Sequence, residues 1–175
     1  DSTETYTGAL IGQAVNGTTV TQVHSSGVVY GGNNTGGLIG DLNNSAVFES
    51  FSIADVYSTG DNVGGLVGVL GGSATATDTY ARGDVTALDA VGGLVGTQTG
   101  TSLIKTSYSS GNVTATDIVV AGQGALVGEK TGGDIENSYA LKDAGLGVNV
   151  GLNMVGSDGL ILGLKDDTQM RKAST

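Results

Sequence analysis

The chain has 175 residues, a formal net charge of −10, 38% hydrophobic residues, and neither cysteine nor proline. Its seven Lys and Arg residues are spread along the chain, only Arg171 and Lys172 being adjacent, so no basic stripe exists to neutralise phosphates and an anionic membrane surface would repel it; nucleic acid is excluded as an expected partner. Disulfides and thiolate metal sites are excluded with the cysteines, and no apolar run approaches the ~18–20 residues of a membrane span, so membrane insertion is not expected.

The first residues, Asp1-Ser2-Thr3-Glu4-Thr5, lack the basic and apolar regions of a signal peptide, which places any export signal outside them. Gly8-Ala9-Leu10-Ile11-Gly12 then begins a signature that recurs down the chain as Gly36-Gly37-Leu38-Ile39-Gly40, Gly64-Gly65-Leu66-Val67-Gly68, Gly92-Gly93-Leu94-Val95-Gly96 and Gly124-Ala125-Leu126-Val127-Gly128. An eroded copy reads Leu152-Asn153-Met154-Val155-Gly156. The closing glycines step by 28, 28, 28, 32 and 28 residues. A fixed period of this size marks an array of stacked units.

A second landmark runs in phase: His24-Ser25, Phe51-Ser52, Tyr80-Ala81, Tyr108-Ser109 and Tyr139-Ala140. Between the landmarks lie alternating stretches such as Thr18-Thr19-Val20-Thr21-Gln22-Val23 and Ser73-Ala74-Thr75-Ala76-Thr77-Asp78-Thr79. Period-2 alternation, Thr and Val enrichment and Gly/Asn/Asp breaks are β signals. No stretch of the array holds a 3.6-residue apolar period, and the unit is shorter than the ~40 residues of a propeller blade.

The sequence therefore predicts an all-β, right-handed parallel β-solenoid (β-helix) of about six coils of 28 residues, three short strands to a coil. The array spans 1–158, and 159–175 form a C-terminal capping or linking tail, with Asp166-Asp167-Thr168 near the start of a short helical cap. Coils ~4.8 Å apart give a rod roughly 30 Å tall.

Stacking creates columns. Leu10, Leu38, Leu66, Leu94, Leu126 and Met154 form a core ladder, each burial stabilising by roughly 1.5–3 kcal/mol. His24, Phe51, Tyr80, Tyr108 and Tyr139 form an aromatic ladder, in which the sole histidine is a packed ring. Beside the leucines stand Ile11, Ile39, Val67, Val95, Val127 and Val155. Strict alternation would turn them outward as a contact stripe; the reading adopted is that each pair straddles a corner and both members enter the core. The signature glycines permit close backbone approach or positive φ at corners.

Two acidic columns appear: Asn33, Asp61, Asp89 and Asp117, and Asp55, Asp84 and Asn112. Stacked carboxylates repel, and a calcium ladder would relieve that. Asn and Asp also bond nearby backbone N–H groups in turns, and the nonapeptide of calcium β-rolls is missing; neither a cofactor nor a metal site is assigned. Thr75-Ala76-Thr77 and Thr114-Ala115-Thr116 fall in different parts of the repeat, so they do not make the flat threonine array of an ice-binding face. The single insertion, around Ile118-Val119-Val120-Ala121-Gly122-Gln123, carries no acid, base or nucleophile, and no catalytic residue is assigned.

The Gly-Gly-Leu-(Ile/Val)-Gly signature, with its preceding Tyr-(Ala/Ser)-x-Gly-(Asp/Asn)-Val, closely resembles the GLUG-motif repeat proteins over about residues 8–158. Such repeats occur in large bacterial surface and secreted proteins, including filamentous-haemagglutinin-like adhesins, and as accessory arrays of some secreted peptidases. The resemblance implies a non-catalytic structural or adhesive module of an exported surface protein, extracellular or at the cell surface. Alternatives are a fibre subunit polymerising head to tail through open coil ends, and an accessory stalk of a secreted enzyme. Implied partners are other protein surfaces, surface glycans or further copies of the chain.

Overall fold

The computed structural model describes residues 5–117 and 122–140. It is an all-β solenoid of about five turns, built from parallel strands throughout. The sixth signature copy with Met154 and Val155, the tail, and insertion residues 118–121 lie outside the described residues.

Each turn, or rung, carries five short strands rather than three. In the first rung these are β1 (Thr7–Gly8), β2 (Ile11–Val15), β3 (Thr19–Thr21), β4 (His24–Ser25) and β5 (Val28–Gly31). Each starts its own sheet, numbered I to V here after that strand; sheets I to IV have five strands and sheet V four. The register advances by one repeat per rung: Ile11 pairs with Ile39, then Val67, Val95 and Val127 in sheet II, and His24 with Phe51, Tyr80, Tyr108 and Tyr139 in sheet IV.

Left-handed residues divide the rung further than alternation suggested. Gln22, Glu49, Asp78, Thr106 and Asn137 hold φ between 46° and 55° at the corner joining sheets III and IV. Asn16 and Asn44 do the same between sheets II and III, and Gly72, Gly100 and Gly133 continue that corner. Single αL residues turn an extended chain without ending its stacking on the next rung.

The leucine corner works differently. The N–H groups of Leu38 and Ile39 both donate to the Leu66 carbonyl, at 2.9 and 3.0 Å, and Leu66 and Val67 donate likewise to Leu94. Two consecutive N–H groups pointing at one acceptor mean the backbone bends there, so both side chains enter the core. Leu38, Leu66, Leu94 and Leu126 are fully buried, and so are Ile39, Val67, Val95 and Val127. Leu10 departs from its column: it is 51% exposed, because its rung has a neighbour on one side only among the described residues.

Two apolar cores run along the axis. The larger gathers side chains of sheets II, III and IV, and the smaller gathers Val29, Ala54, Val56, Val63, Val85, Ala87, Val91 and Val113 of sheets V and I and their links. At the waist between them the closing glycine of the signature touches the backbone entering sheet I. A Cβ on Gly68 would lie 2.5 Å from the Gly40 carbonyl oxygen and 2.8 Å from the Thr35 nitrogen. The signature glycines of rungs two to four thus serve close approach; none has positive φ.

Candidate functional site

The side chains singled out by sequence are dispersed along the rod in ladders. The aromatic ladder stands on the outer face of sheet IV, each ring half-buried or exposed. His24 stacks on Phe51 at 4.9 Å between centroids, Phe51 on Tyr80 at 4.6 Å, and Tyr80 on Tyr108 at 5.0 Å, with planes within 10°. Arg82 lies against this stack, 5.3 Å from the Tyr80 centroid, and donates to the Tyr108 hydroxyl at 3.1 Å. Burial raises the Tyr80 phenol above its ordinary value, reinforced by Tyr108 and opposed by Arg82. The alternate residues Ser25, Ser52, Ala81, Ser109 and Ala140 point inward. Ser25 and Ser109 donate to the carbonyls of Gly37 and Ala125 at 2.6 and 2.5 Å, which ties sheet IV to the signature corner.

Both acidic columns bind backbone. The Asp55 carboxylate accepts the Asp84 N–H at 2.9 Å, and Asp84 accepts the Asn112 N–H at 2.8 Å. In the other column the Asn33 side-chain oxygen accepts the Asp61 N–H at 3.0 Å, and Asp89 accepts the N–H groups of Ala90 and Gly122. Asp61 stands apart: its Oδ1 is buried and has no hydrogen-bond partner among the described residues. Burial, then the charges of Asp89 and Asp117, raise its carboxyl above the ordinary range. No group of three or more metal-ligating side chains converges among the described residues.

The threonine stretches fall in two sheets. Thr75 and Thr77 pair with Leu103 and Lys105 in sheet III, while Thr114 pairs with Thr86 in sheet V, next to Tyr57 and Tyr30. The exposed apolar surface gathers around those tyrosines, with Val28, Tyr30, Ile53 and Tyr57 all exposed and the Tyr30 and Tyr57 rings stacked at 5.7 Å.

Three features were missed from sequence. Ser50, Thr79, Ser107 and Ser138 form a buried hydroxyl column just before Phe51, Tyr80, Tyr108 and Tyr139; the Ser107 hydroxyl accepts the Thr79 N–H at 3.2 Å and donates to the Lys105 carbonyl at 2.7 Å. The recurring Ser/Thr before the ring was the readable signal. The inward column Ala14, Leu42 and Leu70 continues as Gln98 and Lys130, both fully buried. Asn62 links rungs and sheets by donating to Asn34 at 2.9 Å and accepting from Thr97 at 2.7 Å.

Residues 89–114 match the family profile of the GLUG motif. No curated protein and no solved structure matches the chain. The matched stretch covers the strands Asp89–Gly92, Val95–Gln98, Leu103–Lys105 and Tyr108–Ser109 and ends at the start of Val113–Ala115, one turn of the solenoid. With the other rungs in register above and below it, the match supports reading the chain as a GLUG-motif repeat protein.

Proposed function

We propose that the chain is a non-catalytic structural and adhesive repeat module of an exported bacterial surface protein, acting by display of its outer faces. One observation carries the reading: the outward side chains with chemical potential are engaged in holding rung to rung. The carboxylates of Asp55, Asp84 and Asp89 accept backbone N–H groups of the next rung, from Asp84, Asn112 and Gly122, and the sole histidine stacks on Phe51. A side chain that secures the ladder is poorly placed to exchange protons with a substrate. The exposed Tyr30, Tyr57, Val28 and Ile53 surface is the face best suited to a protein or glycan.

The test coats beads with the purified chain and scores saturable capture on arrays of glycans and extracellular proteins, with Tyr30→Ser/Tyr57→Ser as the face variant. Capture lost in the variant supports the reading. Turnover of a chromogenic glycoside or peptide panel, with no retained ligand, contradicts it. A fibre subunit joined head to tail is the second reading, in keeping with the one parallel register that all the described rungs share; regular filaments in electron micrographs would support it. The accessory stalk of a secreted enzyme shares the same scaffold role and differs in what adjoins it.

A further inference from the structure

The tyrosines of sheets IV and V are provided for differently. On sheet IV, Tyr80 and Tyr108 share a base that the chain itself supplies: the Arg82 guanidinium lies 5.3 and 5.9 Å from their ring centroids and donates to the Tyr108 hydroxyl. On sheet V, Tyr30 and Tyr57 stack at 5.7 Å with no base over them. Both are exposed, and among the described residues neither hydroxyl has a hydrogen-bond partner. Tyr57 stands inside the array, paired with Tyr30 on one side and Thr86 on the other, so its exposure does not depend on where the array ends.

Acid flanks this column on both sides. Asp55 precedes Tyr57 by two residues with the buried Val56 between them, so the two side chains share the outer face, and Asp84 follows Asp55 in the next rung. Beyond the corner where sheet V passes into sheet I stand Asp61, Asp89 and Asp117. Between the end of sheet IV and the signature corner, Arg82 is the only Lys or Arg among the described residues, and it is held by the sheet IV rings. Asp55, Asp84 and Asp89 accept backbone N–H groups of the next rung, and none of the three is in an ion pair among the described residues. Burial, and then the charges of Asp89 and Asp117, raise the Asp61 carboxyl. Like charges stacked ~4.8 Å apart are relieved by an opposite charge laid over them.

We infer that the outer face of sheet V, with its corner to sheet I, receives a basic polypeptide segment of another protein, a guanidinium of which stacks on the Tyr57 ring and pairs with the Asp55 carboxylate. The occupant follows from what the face lacks. Arg82 shows the arrangement completed on sheet IV; sheet V has the rings and the acids without the base. A guanidinium answers both at once, because it stacks on an aromatic face and forks onto a carboxylate. A neutral glycan would cover the ring and leave the row of carboxylates uncompensated, while a polyanion or a second copy carrying −10 would be repelled. The inference rests on the reading of this surface as a display face and names the chemistry of its partner.

Fluorescence anisotropy of a labelled, alternating Arg-Gly octapeptide titrated with the purified chain tests this, with circular dichroism verifying that each variant keeps the β spectrum. The wild type should bind saturably and more weakly as salt is raised. Tyr57→Ser should weaken binding by on the order of tenfold. Asp55→Asn/Asp84→Asn, which keeps an oxygen for each backbone N–H, should weaken it in the same direction. Asp134→Asn/Glu136→Gln makes the same change of net charge on sheet III and should leave binding intact. No saturable binding, binding unchanged in Tyr57→Ser, or an equal loss in the sheet III variant overturns the inference. Retention of a neutral oligosaccharide through Tyr57 in place of the peptide also overturns it and leaves the display reading standing, whereas capture of neither the peptide nor any array ligand removes both.

Discussion

The carboxylate of Asp84 accepts the backbone N–H of Asn112 at 2.8 Å, one rung away, and also the Asn112 side-chain amide at 3.1 Å. Asp55 holds the Asp84 N–H in the same manner. The acidic column is therefore a series of inter-rung acceptors. Asp84→Ala should lower stability by about 0.5–1.5 kcal/mol, whereas Asp84→Asn, which keeps an oxygen in place, should cost less. Urea unfolding measures both, and addition of a chelator should leave the wild-type midpoint unchanged. Equal losses in the two variants would remove the acceptor role.

Gly68 and Gly17 separate two reasons for glycine. A Cβ on Gly68 meets the Gly40 carbonyl oxygen at 2.5 Å and backbone of Asn34 and Thr35 within 2.8 Å, while a Cβ on Gly17 meets nothing within 4 Å but sits at φ +85°. Gly68→Ala should therefore cost about 3 kcal/mol or more by overpacking the waist, and Gly17→Ala about 1–2 kcal/mol from backbone conformation alone. Thermal unfolding of both variants gives the ranking, and a reversed order would contradict the two-core cross-section.

Leu66 and Leu10 occupy the same column with opposite burial, fully buried against 51% exposed. Leu66→Ala should cost about 2–5 kcal/mol, and Leu10→Ala should stay within about 0.5 kcal/mol of wild type. Denaturant unfolding at low concentration checks the difference.

Asp61 supplies a pH signature. Burial and the neighbouring Asp89 and Asp117 charges raise its folded-state carboxyl above the ordinary value of 3.8. The folded state thus binds its proton more tightly than the unfolded state, so ionised Asp61 opposes folding at neutral pH. That opposition is relieved as pH falls through the raised value toward 3.8. Asp61→Asn should raise the melting temperature at neutral pH and flatten the pH dependence in that window. A variant less stable than wild type at neutral pH would contradict this.

What was legible in the sequence followed from like chemistry at nearly constant spacing. Leu38, Leu66 and Leu94 repeat one residue type every 28 positions, and Phe51, Tyr80 and Tyr108 repeat one shape, so both ladders and the parallel register could be read. The five-strand rung could not. Its corner between sheets III and IV is filled by Gln22, Glu49, Asp78, Thr106 and Asn137, which share a backbone conformation and no side-chain type. The sequence offered close approach or positive φ for the signature glycines; which of the two applied was hidden because Gly68 touches Asn34 and Thr35, contacts that exist only once the rung has folded back on itself. Gln98 and Lys130 were hidden because they are polar residues in a column begun by Ala14, Leu42 and Leu70. Among the candidate sites, the bonding of Asp and Asn to backbone was anticipated, while the donation of the Gln13 and Gln22 amides to the carboxylates of Asp41 and Glu49 in the next rung needed the register to become visible.

The central claim is parallel stacking in a register of one repeat, and the absence of cysteine allows it to be tested by paired substitution. Tyr80 and Tyr108 are register partners on the outer face, whereas Ser109 points inward. Parallel neighbours ~4.8 Å apart lie within the span a disulfide bridges. Under mild oxidation of the folded protein, Tyr80→Cys/Tyr108→Cys should form an intramolecular disulfide, and Tyr80→Cys/Ser109→Cys should not. Cross-linking of the second pair in preference to the first, or of neither, would contradict the register on which every column here depends.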